Sequence, residues 1–185
     1  MKKFILVPAL IISTVFLLTL NGCLVFHKIS YEVHLDTPEK GYAIVTAYDM
    51  RSESETEDDF QKDKDNLFQF MLKSKEFVDQ QKKQGKDIYS RKLFVKDGIL
   101  IGQGEYKFDS ISTVENIRYE DGFHYLNLAL DDSVLSTNGV IVMSKEFKRI
   151  LWDKNIKILK FEMFSESFKN NPYRPLAPFY KKQMN

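Results

Sequence analysis

Hydrophobic and polar positions alternate first with a period of two. Ile29, Tyr31, Val33 and Leu35 interleave with Ser30, Glu32, His34 and Asp36, the pattern of a strand with one wet face. Asp36-Thr37-Pro38-Glu39-Lys40-Gly41 supplies turn chemistry, and Tyr42 to Met50 carries apolar or small residues on both faces, as a more central strand does. The two segments predict an antiparallel hairpin. The period then lengthens: Phe60, Leu67, Phe70, Met71, Ser74, Phe77 and Val78 recur at helical spacing. Ser54 and Thr56 are candidate N-caps, with Glu57 and Asp59 three residues on, Lys82 and Lys83 suit the negative end of the helix dipole, and Gly85 can end the helix in a left-handed conformation. One long amphipathic helix is expected, its Phe-rich face packed on a sheet.

Ile88 to Val95 is β-prone, Lys96-Asp97-Gly98 is a hairpin turn, and Ile99 to Phe108 returns as a second strand. Gly102 and Gly104 inside that strand suggest a bulge or a close backbone approach; Gly102-Gln103-Gly104 lacks the third glycine, lysine and helix of a phosphate loop. Ser110 opens a short helical segment with Ile111, Val114 and Ile117 facing inward, and Asp121-Gly122 turns the chain into an alternating strand, Phe123 to Leu130. Asn138-Gly139 is a further hairpin signal leading into Val140 to Met143. Ser144 to Trp152 fits either a helix on Phe147, Ile150 and Leu151 or, preferably, a continuing strand; Asp153-Lys154-Asn155 turns either one into Ile156 to Phe164. From Ser165 onward Pro172, Pro175 and Pro178 exclude helix and sheet interiors, so an extended Pro/aromatic tail over residues 165–185 is expected.

Hairpins plus one main helix argue for an α+β fold: an antiparallel sheet built of hairpins, one long amphipathic helix on one face and a short helix besides, in a single domain over 29–164. A hairpin, a long helix and a second hairpin ending Phe108-Asp109-Ser110-Ile111-Ser112-Thr113-Val114 loosely resemble LppM-type envelope lipoprotein domains. That resemblance implies lipid binding. The tail here has no second apolar span, a departure from some of those proteins.

The N-terminus has a different texture. Lys2 and Lys3 precede an apolar run, Phe4 to Leu20, and Leu20-Asn21-Gly22-Cys23 ends in the chain's single cysteine. This order of a positive, an apolar and a small-residue region is that of an export signal. The quartet resembles the lipobox of bacterial lipoproteins, which implies cleavage between Gly22 and Cys23, with diacylglycerol and fatty acyl groups carried on Cys23. Residues 1–22 are then a signal peptide and 23–28 a lipidated tether. Leu24, rather than Asp, follows the cysteine, which by the same resemblance implies the outer membrane, facing either the periplasm or the outside. Seventeen apolar-dominated residues are short for a spanning helix, which needs roughly 20, although an uncleaved N-terminal anchor is the alternative. One cysteine cannot form an internal disulfide.

Composition narrows the function. The 185-residue chain carries 27 Lys and Arg against 26 Asp and Glu, too balanced for a general nucleic-acid binder. The charges are uneven: Glu53, Glu55, Glu57, Asp58, Asp59, Asp63 and Asp65 form an acidic segment, and the last quarter is basic. The two segments are two solvated faces in one reading; in another the basic end docks on anionic lipid headgroups or on an acidic partner. His27, His34 and His124 are scattered outside any zinc pattern, and Asp63-Lys64-Asp65-Asn66 lacks the glycine of a calcium loop and lies in the helical stretch, so no metal site is expected. Asp49, Arg51 and Ser52, or Asp131-Asp132-Ser133, hold acid–base residue types without a catalytic spacing, and a non-enzyme is expected.

Two functions remain. One is an envelope interaction or structural module that contacts a partner through Tyr173, Pro175, Pro178, Phe179 and Tyr180, with docking of the tail on its own domain as the alternative for those residues. The other is a carrier of a lipid or other amphiphile between helix and sheet, permitted by fifteen phenylalanines. The leader makes the first prediction: the purified protein has an acylated mass beginning at Cys23 and fractionates with membranes, and Cys23→Ala is released or left unprocessed. An unmodified Cys23 with the leader retained, read by intact mass, would replace the lipid anchor with an N-terminal helix.

Overall fold

The computed structural model describes residues 24–164 and 173–183. In chain order the strands are β1 (Leu24–Leu35), β2 (Gly41–Ser52), β3 (Asp87–Lys96), β4 (Ile99–Phe108), β5 (Arg118–Glu120), β6 (Phe123–Leu128), β7 (Val134–Thr137), β8 (Val140–Met143), β9 (Lys148–Asp153), β10 (Ile158–Phe164) and β11 (Arg174–Pro175). The helices are α1 (Glu57–Asp65), α2 (Lys75–Lys83) and α3 (Ala177–Gln183), with a π-helical segment over Asn66–Met71. Strand accounts for 51% and helix for 22%. The expected α+β fold with one long helix is therefore corrected: the protein is mostly β, with two sheets and short helices.

The larger sheet runs β3-β4-β2-β1-β10-β7, with β11 paired to the end of β2, and the smaller runs β5-β6-β9-β8. Every pairing is antiparallel. The first sheet has one wet face, as the alternation in β1 predicts. Leu24, Phe26, Ile29, Tyr31 and Val33 are buried, the stripe changing parity opposite Asp49, whose φ is 55°. The other face carries the ion pairs Lys28–Glu162, Lys160–Glu32 and Lys92–Glu105. Leu24 to Lys28 belong to β1, so no tether separates Cys23 from the sheet.

The helix breaks for a local reason. Ser74 is extended (φ −70°, ψ 134°) and its side chain accepts from the Phe77 N–H, capping α2. Serine competes with the backbone in this way and prefers caps to helix interiors. Reading Ser74 as one more position on the apolar stripe missed that preference, and the continuous helical run ends after 15 residues. The first cap is as expected: the Thr56 hydroxyl accepts from Asp59 N.

Lys96-Asp97-Gly98 and Asp121-Gly122 turn as read, with positive φ at Asp97, Gly98, Asp121 and Gly122. Asn138-Gly139 does not make a hairpin. It carries the chain from β7 in the first sheet to β8 in the second, and Gly139 has no left-handed φ. Its glycine is a matter of space: a Cβ there would lie 2.7 Å from Trp152 Nε1 and 2.8 Å from the Leu151 carbonyl. Ser144 to Phe147 is a turn, held by Ser144 Oγ accepting from Glu146 N and Phe147 N, and β9 follows it. The tail is not extended throughout. Pro175 sits in a two-residue edge strand and Pro178 in the first turn of α3, both places where a missing N–H costs little.

Both sheets share one core. Trp152, Ile150 and Leu126 of the second sheet are buried with Leu159, Phe161 and Val33 of the first, Trp152 and Phe161 having ring centroids 5.8 Å apart. Ile111, Val114 and Ile117 are buried as predicted. Asn138 Oδ1 accepts from Trp152 Nε1 (2.9 Å) and Lys160 N (2.8 Å), and its amide donates to the Ile158 carbonyl (2.7 Å). Asn138→Ala leaves a buried indole N–H unpaired, so unfolding in urea is expected to show a loss of about 2 kcal/mol, with the near-ultraviolet signal of the single tryptophan reporting the change.

Candidate functional site

Gly22 and Cys23 lie outside the described residues. The five tail residues are placed against their own domain. Phe179 meets Phe60 edge-on at 5.1 Å, Tyr180 donates to the Leu93 carbonyl at 2.8 Å, and Leu176 between the two elements is fully buried. Pro175 pairs with Arg51, and Tyr173 is half-buried. Of the five, only the two prolines face outward.

The acid–base candidates do not assemble. Asp49 and Arg51 form a two-point ion pair. Ser52 and Ser54 both donate to the buried Asp63 carboxylate, Ser54 at 2.7 Å, which places the supposed start of a calcium loop inside a helix-to-sheet tie. Asp132 accepts from Ala129 N in a loop. His34 meets Glu32 on the wet face, and His124 lies under the Pro38 carbonyl. Among the described residues no group of three or more His, Cys, Asp or Glu is placed to hold a metal ion, and no helix is long and apolar enough to cross a membrane.

What the fold does assemble is an apolar cleft of ≈ 90 Å³ between the broken helix and the first sheet. Its floor is the inner face of β2 and β4, where Val45, Ala47, Gly102 and Gly104 are small. Phe26, Met50, Leu67, Met71, Phe77 and Tyr106 form higher walls. Gly102 and Gly104 pair in unbroken register with Ala47 and Val45, so the expected bulge is absent. A Cβ on Gly104 would meet nothing within 4 Å, whereas one on Gly102 would lie 2.8 Å from Met50 Sδ. Gly104 is the empty point of the floor.

The roof is held off the sheet by Arg91, whose Nη1 donates to the Met71 carbonyl at 2.8 Å and the Ser74 carbonyl at 3.0 Å. The Met71 carbonyl is one that the helix break would otherwise leave unsatisfied. The same guanidinium lies 6.0 Å from the Phe77 ring centroid, a cation–π distance. Burial pulls its pKa down from the ordinary arginine value, far too little to remove a charge that persists at all working pH. Lys92 beside it turns its side chain to the wet face, 60% exposed and paired with Glu105. The cleft is thus lined by apolar groups, with the Arg91 guanidinium at its edge.

A second group of residues with shifted pKa values packs against the edge of the core, with Tyr31, Lys86 and Tyr106 buried and Glu115 half-buried. Tyr31 donates to Glu115 Oε1 at 2.9 Å; burial pushes the Glu115 carboxyl and both the Tyr31 and Tyr106 phenols up and the Lys86 ammonium down. It braces the Ile111–Ile117 segment on β1.

Arg91 was missed in the sequence because its role depends on a helix break that the periodicity concealed; Gly102 and Gly104 were visible, but the hollow above them was not. Comparisons with protein-family models, curated proteins and solved structures found no match for this chain. The site prediction concerns the floor. Gly104→Ala should raise stability by about 0.5–1 kcal/mol, since it limits the unfolded chain without a clash, while Gly102→Ala should gain less or destabilise because Met50 must move; denaturant midpoints of the two variants decide it.

Proposed function

We propose that this chain is a membrane-anchored envelope lipoprotein whose domain, without catalysing a reaction, holds a slender apolar ligand in the cleft under the broken helix. The ligand class is an amphiphile with a single acyl chain or an equivalent, and an anionic head suits the rim. The observation that carries the reading is the pair of glycines on the inner face of β4, which leaves a hollow where a sheet covered by a helix ordinarily has interlocking side chains. Apolar pockets with a few polar groups at the rim are the usual form of small-molecule sites. π-helical turns, such as the one over Asn66–Met71 in the roof, occur often at functional sites.

Size limits the occupant. A dry cavity of roughly 150 Å³ takes a benzene-sized molecule, and this cleft is smaller. It accepts a stretch of methylene chain as it stands, and more when Met50 and Met71, unbranched and adaptable, swing aside. The interaction-module reading ranks second, because Phe179 and Tyr180 are occupied within the domain. The lipid anchor rests on Lys2-Lys3, the Phe4–Leu20 run and Leu20-Asn21-Gly22-Cys23.

Full-length protein extracted in mild detergent should bind the fluorescent fatty acid cis-parinaric acid, and Gly104→Phe, which fills the floor, should raise the Kd about tenfold or more, the equivalent of losing roughly two buried methylenes. Equal binding by both proteins, or a clean ligand-free mass together with no binding by the parent, sinks the carrier reading.

A further inference from the structure

Strand registers place several separate elements at one end of the domain. Leu24 opens β1, and four residues on, Lys28 pairs with Phe164 at the end of β10. Phe164 N donates to the Ser133 carbonyl just before β7. Lys148 at the start of β9 donates to the carbonyls of Leu130 and Asp132, and pairs with Met143 at the end of β8. A continuous set of hydrogen bonds thus leads from the first strand to the β8–β9 turn, all at the end where the N-terminal segment departs.

That end exposes large apolar side chains among the charged Asp131, Lys145 and Glu146. Met143 is 66% exposed, Leu130 47%, Phe164 42% and Phe147 39%. Lys145 lies between Met143 and Phe147 in the turn, and Val142 beside it is also exposed. β8 is an edge strand whose four residues, Val140 to Met143, all face solvent, an arrangement that soluble edge strands normally avoid. Phe123, paired with Asp153, is 39% exposed at the opposite end of β6.

We propose that this end is a membrane-docking face: the β8–β9 turn, with Leu130 and Phe164, sinks into the headgroup layer of the bilayer that holds the N-terminus. The occupant follows from the chain outside the described residues. It contains the apolar run Phe4–Leu20 and the lipobox-like Cys23, and it joins the domain at Leu24. One residue spans at most about 3.6 Å, so an acylated Cys23 leaves no slack and brings this end to the membrane surface. The acidic stretch over 53–59 leaves from the β2 side of β1, whereas the apolar turn lies on the β10 and β7 side, so the domain leans toward β8 and β9. Exposed aromatic and aliphatic side chains with lysine beside them are the usual composition of a surface that lies in the lipid interface. This inference rests on the membrane-anchored part of the functional reading and not on the cleft.

The test uses the full chain, extracted from membranes and reconstituted in phosphatidylcholine–phosphatidylglycerol vesicles with brominated acyl chains, which quench nearby tryptophan. Phe147→Trp and Phe123→Trp add a probe at opposite ends and at equal exposure, with the buried Trp152 of the parent as the baseline. Emission added by Phe147→Trp should be blue-shifted and quenched at least about twofold more than that added by Phe123→Trp. Equal quenching of the two, or none at Phe147→Trp while the protein still floats with the vesicles, overturns the docking face and leaves the anchor standing. Protein that does not float with the vesicles removes the anchor and the docking face together. A blue shift of Phe147→Trp that grows with protein concentration and is insensitive to bromine assigns the face to a second copy and also overturns the proposal.

Discussion

The controlling constraint is the width of a sheet that is wet on one side. Strands lie about 4.8 Å apart, so the six along the main path of the first sheet extend over about 24 Å, while a helix with its side chains is 10–12 Å across. One helix cannot cover that face. Two covers share it: the helical segment lies over β3, β4 and β2, and the second sheet lies over β10 and the later half of β1, where Trp152 meets Phe161. Between them the Ile111–Ile117 segment fills the seam, and the buried Tyr31–Glu115 bond fixes it.

The helical cover is pinned at two places by groups that cannot be left unpaired. At one end the buried Asp63 carboxylate takes the hydroxyls of Ser52 and Ser54, tying α1 to the end of β2. At the other, Arg91 of β3 holds the carbonyls of Met71 and Ser74. Removing either partner of such a pair strands a buried polar group, which costs far more than the contact itself contributes. The roof is therefore held at a set height, and where the floor beneath it drops to Gly102 and Gly104, apolar packing has nothing to meet. α3 adds to the same arrangement from outside: Tyr180 reaches the carbonyl of Leu93, a cleft residue, and Lys64 Nζ lies within 4.8 Å of the ring centroids of both Phe60 and Phe179.

Local signals in the sequence carried much of this. Alternation gave β1 and its wet face, Asp97-Gly98 and Asp121-Gly122 gave their turns, and Ile111, Val114 and Ile117 were rightly turned inward. The errors arose wherever a residue acts through distant neighbours. Ser74 shares the spacing of the helix stripe yet caps the next helix, so one long helix was expected in place of two and a π-helical turn. Asn138-Gly139 has the composition of a hairpin, but its glycine is required by Trp152, thirteen residues away, and its asparagine by strands of both sheets. Prolines in the tail were read as excluding regular structure, although an edge strand and a first helical turn admit them. The second sheet could not be foreseen, because β5 has three residues and the β8–β9 turn resembles either helix or strand. The hollow over Gly104 belongs to no single segment and had no signature beyond the two glycines.

The cleft and the apolar end are related by the same registers. Phe26 and Met50, two of the cleft walls, are paired with one another only two residues from Leu24 and from Ser52. The hollow therefore begins close to the end of the sheet from which the N-terminal segment leaves. If that end rests in the headgroup layer, an acyl chain entering the cleft needs no passage through water, where each exposed methylene would cost about 0.8 kcal/mol. A carrier that gathered its ligand from solution would gain nothing from such a position. Under the proposed anchoring, the geometry suits a domain that takes its ligand from the membrane.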